Sequence, residues 1–166
     1  MNRFSFFTLI LISLILLTGC KPSSKSAAQY NDRIIGHQIK VVEIQQELNK
    51  SINAGKAEEM KTVLDKFNMK VKSEKDSIAA ISEFDGKDDF KKNTLQYLGE
   101  LTLLGENEYR SLVKIHEIPD SSLTREDEKK AQDLLTTIKN KTNNALKLLE
   151  EEQMKFAKDY NFQVEK

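Results

Sequence analysis

Apolar side chains return every three or four positions along most of this chain. Ala27, Tyr30, Ile34, His37, Val41, Ile44, Leu48 and Ile52 form one such stripe, widened by Ile35, Ile39 and Val42. A period near 3.6 puts these positions on one helical face, which predicts a first helix over residues 28–53. Gly55 follows it, where a left-handed cap is least costly. Met60, Leu64, Phe67, Val71, Ile78 and Ile81 keep the step over residues 57–81, with Glu74 in the slot where an apolar residue is missing. Phe84-Asp85-Gly86-Lys87 then breaks the pattern as a turn.

A third helix is predicted over residues 88–117, with Phe90, Tyr97, Leu98, Leu101, Leu104, Leu112 and Ile115 on its stripe. Asp88 is its expected cap and Pro119 its stop. Gly99 and Gly105 lie inside it. Each costs up to about 1 kcal/mol relative to Ala, so a close crossing or a kink is expected there. The fourth helix starts at Thr124-Arg125-Glu126-Asp127, which has the form of a capping box with Asp in place of Glu, and reaches Tyr160. Ala131, Leu135, Ile138, Ala145, Leu149 and Phe156 carry its stripe, broadened by Leu134 and Leu148. Glu126 with Lys130 and Glu151 with Lys155 are its expected surface pairs. Short connections make consecutive helices antiparallel neighbours, so the expected fold is all-α, an up-down-up-down four-helix bundle. The sustained heptad step also allows an extended coiled-coil hairpin or a homodimer. No stretch alternates with period two over a useful length, so no sheet is expected.

The start of the chain follows different rules. Residues 1–19 hold one charge, Arg3, and between Phe4 and Leu17 only Ser5, Thr8 and Ser13 interrupt the apolar run. That is the layout of a secretory leader, shorter than the roughly 20 residues of a membrane span. Leu17-Thr18-Gly19-Cys20 resembles the lipobox of bacterial lipoprotein precursors. The resemblance implies a diacylglycerol on the Cys20 thiol and signal cleavage between Gly19 and Cys20. Each buried acyl CH2 contributes about 0.8 kcal/mol, so two or three chains hold such a protein stably in a bilayer. Residues 20–27 then read as the lipidated cysteine and a flexible tether, polar and without an apolar period. Residues 28–166 are the bundle domain.

Composition narrows the chemistry. The chain has 26 Lys+Arg against 26 Asp+Glu, one Cys and two His. Without Arg3 the basic count is 25 against the same 26 acids, so no nucleic-acid partner bound by phosphate neutralisation is expected. One Cys makes neither a disulfide framework nor a cysteine zinc cage. A di-metal bundle needs Glu-x-x-His, but Ile34 and Val113 stand three before His37 and His116. No metal and no cofactor is expected. His37 reads as a core or rim histidine with one hydrogen-bond partner, and His116 as a helix-end residue. Glu150-Glu151-Glu152 fans over about 200° of a helix and does not converge. The acids between Asp85 and Asp89 lack the spacing of a calcium loop. No serine sits in a Gly-x-Ser-x-Gly setting, so no enzymatic activity is expected. Tyr30, Tyr97 and Tyr109, with apolar rings and polar tips, are the expected rim or surface contacts.

Tyr30-Asn31-Asp32, the Phe84-x-Gly86 turn and Glu108-Tyr109 also give residues 28–160 a resemblance to an uncharacterised family of helical surface lipoproteins of spirochaetes and Bacteroidota. It implies a helical envelope lipoprotein and brings no catalytic or ligand residues. Lys21-Pro22-Ser23-Ser24 lacks the acidic cluster that resembles a surface-export tag in some Bacteroidota, so the periplasmic face of the outer membrane stands beside the cell surface as a location. The expected function is that of a non-enzymatic, lipid-anchored protein presenting a helical domain to a protein or envelope component. The alternative is a periplasmic small-ligand or metal-binding protein with a cavity between its helices.

Overall fold

The computed structural model describes residues 22–164. Its first helix, α1 (Ser24–Ala54), is capped by Ser23, whose hydroxyl accepts from the Ser26 amide at 3.2 Å. The helix therefore starts earlier than its apolar stripe suggests. Residues 24–27, expected in the tether, are its first turn. The physical reason is twofold: Ser23 satisfies an orphan amide of that turn, and Ala27, seven residues before Ile34, is fully buried. Gly19 and Cys20 lie outside the described residues.

Gly55 ends α1 in the left-handed region at φ 69°. The second helix, α2 (Ala57–Ala79), runs back. A tight turn follows in which Phe84 and Lys87 exchange both backbone hydrogen bonds, and Asp85 and Gly86 take positive φ. The next rod has three parts: α3 (Asp89–Leu104), a π-helical turn (Gly105–Tyr109) and α4 (Arg110–His116). The last rod is α5 (Arg125–Tyr160), opened by the expected capping box between Thr124 and Asp127. Four helical rods and no strand among the described residues make an all-α four-helix bundle. Asp88 departs from expectation. Its side chain makes no cap bond and instead takes Lys92 Nζ at 2.8 Å, one turn on and of opposite charge.

Ala27, Ile34, Val41 and Leu48 recur every seven residues on α1, and all four are fully buried. Met60, Phe67, Val71 and Ile78 face them from α2, and Leu98, Leu101, Leu104 and Leu112 from the third rod. The flanking positions that broaden the stripes in sequence do not all enter the core. Ile39, Leu135 and Leu148 are 52%, 42% and 50% exposed. A strict seven-residue seam covers only a narrow strip of each helix, and in the first half of α5 only Ile138 is buried. The ion pairs on α5 also differ from those expected: Lys147 pairs with Glu151, and Lys155 with Glu152.

One end of the bundle gathers the start of α1, the Phe84 turn and the end of α5. Phe156 sits there among Tyr30, Phe84, Phe90, Tyr160 and Phe162, with ring centroids 4.9–5.8 Å away. The opposite end holds Gly55 and the connection between α4 and α5.

Candidate functional site

Polar residues also step by seven along α1. Asn31, Gln38 and Gln45 each lie four residues beyond a buried heptad position. Buried Asn31 accepts from Gln153 of α5 at 2.9 Å, and Gln45 is bonded to the hydroxyl of Tyr109. Between them the Gln38 side-chain oxygen is buried with no partner among the described residues, as is the Thr142 hydroxyl on α5.

The π turn organises the facing rod. Thr94 and Leu101, both buried, are seven apart, but beyond buried Gly105 the next buried positions, Tyr109 and Leu112, come eight after Leu101 and Leu104. A π turn inserts one residue into the helical period. It thereby brings Tyr109 to the core face and sets Glu108 against α5, where Lys141 Nζ donates to Glu108 Oε1 at 2.7 Å. The turn begins at Gly105 because α2 comes close there: a Cβ on Gly105 would stand 2.0 Å from Asn68 Oδ1. Of the two glycines flagged by sequence, Gly105 marks the close crossing. Gly99 has only Lys75 Nζ within 4 Å of such a Cβ, at 3.7 Å.

Tyr97 and Tyr109 are thus not rim residues: each is 2% exposed. Both occupy core slots of the rod, Tyr109 through the π turn. Burial, with Tyr109 as neighbour, pushes the Tyr97 phenol up to about 12. Burial also raises that of Tyr109 against the opposing effect of Gln45. Both remain neutral donors at physiological pH. Tyr30 alone of the three keeps a rim position, half-buried in the aromatic end. Its hydroxyl is buried without a partner among the described residues and raised in pKa by burial and by Asp88 and Glu83.

A groove of about 220 Å³ runs between α3 and α5 above Tyr97. Asn93, Gln96, Tyr97 and Glu100 line it from α3, and Lys141, Asn144, Ala145 and Leu148 from α5. In each set the later residues lie three, four and seven positions beyond the first, so each set is one face of its helix. Lys141 lies 3.9 Å from Glu100 as well as 2.7 Å from Glu108, and its hydrogen bond to Glu108 raises its pKa. The second Glu108 oxygen is buried with no partner among the described residues. A second groove, of about 450 Å³, opens at the Gly55 end between Ile115, Ile118, Leu123, Ala131 and Leu135. His116, at its edge, keeps Nδ1 2.9 Å from the Leu112 carbonyl, a helix-end contact as expected.

His37 has one hydrogen-bond partner, as its sequence position suggested: its Nδ1 lies 2.5 Å from Glu74 Oε2. Sequence reading did not single out Gln38, Gln45, Thr142 or the Glu108–Lys141 pair. The heptad recurrence of amides on α1 was the available signal for the first two. No group of three or more metal-ligating side chains converges among the described residues, and no described helix is long and apolar enough to cross a membrane. No family model matches the chain, and comparison with curated proteins and with solved structures yields no match.

Proposed function

We propose that this chain is a lipid-anchored protein of a bacterial envelope that acts by binding, with Cys20 as its anchor and the helical bundle as its binding domain. The observation that carries the reading is the only cysteine of the chain, placed directly after Leu17-Thr18-Gly19. On this reading the early start of α1 sets how close the bundle stands to the anchor. Only Lys21, Pro22 and Ser23 separate Cys20 from α1, a reach of about 10 Å when extended. On this reading the aromatic end stands next to the bilayer. The Gly55 end projects about 45 Å from it along α1, at 1.5 Å per residue. The α3–α5 groove then lies on the flank of the domain, open to soluble envelope components.

Metabolic labelling with a fatty-acid precursor tests the anchor. Label is expected on the wild-type chain and absent from Cys20→Ala, which also leaves the membrane fraction. Equal label on both overturns the reading. The small-ligand alternative is favoured by the convergence of three amides, a carboxylate and an ammonium on the α3–α5 groove.

A further inference from the structure

We propose that the groove between α3 and α5 is a carbohydrate subsite that takes a neutral, hydroxyl-rich sugar unit of an oligosaccharide. The proposal rests on the domain being a binding module and not on the lipid anchor.

Ligand class follows from what lines the groove. Gln96 and Asn144 are exposed, line the groove from its two helices, and make no hydrogen bond among the described residues. A primary amide offers two donors and an acceptor on one plane, a set that matches vicinal hydroxyls, which both donate and accept. Asn93 spends its amide nitrogen on the Asp89 carbonyl at 3.0 Å, leaving its oxygen to accept. Buried Tyr97 adds a phenol that stays protonated. Ala145 and half-exposed Leu148 supply an apolar edge for the C–H face of a sugar ring.

Charge disfavours anions and metal ions in this groove. Lys141, the one ammonium in the lining, is engaged by Glu108 from outside the groove at 2.7 Å and stands 3.9 Å from Glu100, so the lining offers an anion no free cation. Lys141 lies between the two carboxylates, where a metal ion would have to sit. Size excludes a large enclosed ligand. About 220 Å³ falls below the roughly 300–1,000 Å³ of sites that enclose drug-sized molecules. An open trough of that volume suits one ring of a chain that extends beyond it along the helices.

Titration calorimetry of the full chain, purified in a phosphocholine detergent so that no sugar headgroup competes, tests this. The probes are a tetramer of N-acetylglucosamine, an α-1,4-linked glucose tetramer and, as anionic control, a galacturonate tetramer. Saturable binding of at least one neutral tetramer is expected, with none of the anionic one. Gln96→Leu and Asn144→Leu, both at exposed positions, are each expected to weaken that binding about tenfold, the factor of one neutral hydrogen bond. Circular dichroism should show an unchanged bundle in both variants. Absence of saturable binding by both neutral tetramers, equal binding of the anionic one, or indifference to both substitutions overturns the proposal. None of these outcomes bears on the Cys20 label, so failure of the subsite and failure of the anchor are read separately.

Discussion

His37 Nδ1 lies 2.5 Å from Glu74 Oε2, across the interface of α1 and α2. Glu74 fills a heptad slot that its neighbours on α2 give to apolar residues, and it is 5% exposed. Burial opposes its charge, but the hydrogen bond from His37 and the positive charges of Lys40 and Lys70 outweigh that, and its pKa is lowered. Lys40 and Lys70 stand 3.7 and 3.5 Å from its oxygens. The carboxylate is ionised, so the imidazole nitrogen donates.

The pair makes stability depend on pH in one direction. A carboxyl that titrates lower folded than unfolded stabilises the fold above its unfolded value, near 4.5. That contribution is lost as pH falls through the folded value. Urea midpoints should therefore drop on acidification below about pH 4.5 more steeply in the wild type than in Glu74→Leu. At neutral pH, Glu74→Ala should cost about 1–3 kcal/mol, leaving His37 unpaired beside a void. Glu74→Leu fills the apolar slot and should fall within about 1 kcal/mol of the wild type. An acid limb equally steep in Glu74→Leu would assign the pH dependence to other groups.

The two glycines of the third rod should respond with opposite signs. Gly99→Ala meets nothing closer than 3.7 Å and should stabilise by about 0.5–1 kcal/mol through helix propensity. Gly105→Ala drives a methyl into the Asn68 side chain and should destabilise by about 1–3 kcal/mol. Combining Gly105→Ala with Asn68→Ala should recover most of that loss, a coupling that a double-mutant cycle in urea measures.

Leu48 and Leu135 separate true seam positions from apparent ones. Leu48 is fully buried and Leu135 is 42% exposed. Leu48→Ala should cost about 2–5 kcal/mol, and Leu135→Ala no more than about 0.5 kcal/mol. Chemical denaturation of both variants checks the difference.

Phe156 touches five aromatic rings at the end of the bundle that holds the start of α1. Phe156→Ala should cost about 3–5 kcal/mol. It should also weaken the near-ultraviolet dichroism of Tyr30 and Tyr160, which pack against it, while far-ultraviolet helicity persists at low temperature. Unchanged tyrosine dichroism would mean the ring cluster is not ordered through Phe156.

The sequence by itself determined the architecture, because helical period and cap chemistry are local. Spacing of three and four on four segments, Gly55 in the left-handed region and the Thr124–Asp127 box all follow from residues within one or two turns. Local signals also misled where a neighbour decides. The polar composition of residues 24–27 suggested a tether, yet Ala27 packs in the core. Tyr97 and Tyr109 looked like rim residues because a tyrosine carries a polar tip, yet both are buried. Tyr109 is turned inward by a one-residue π insertion at the point where Asn68 of α2 crowds Gly105. Whether Glu74 is a fault in a stripe or half of an ion pair depends on His37, 37 residues away. The groove likewise exists only because two helix faces, 48 residues apart in sequence, run side by side. Periodicity assigns a residue to a face; only packing decides what that face meets.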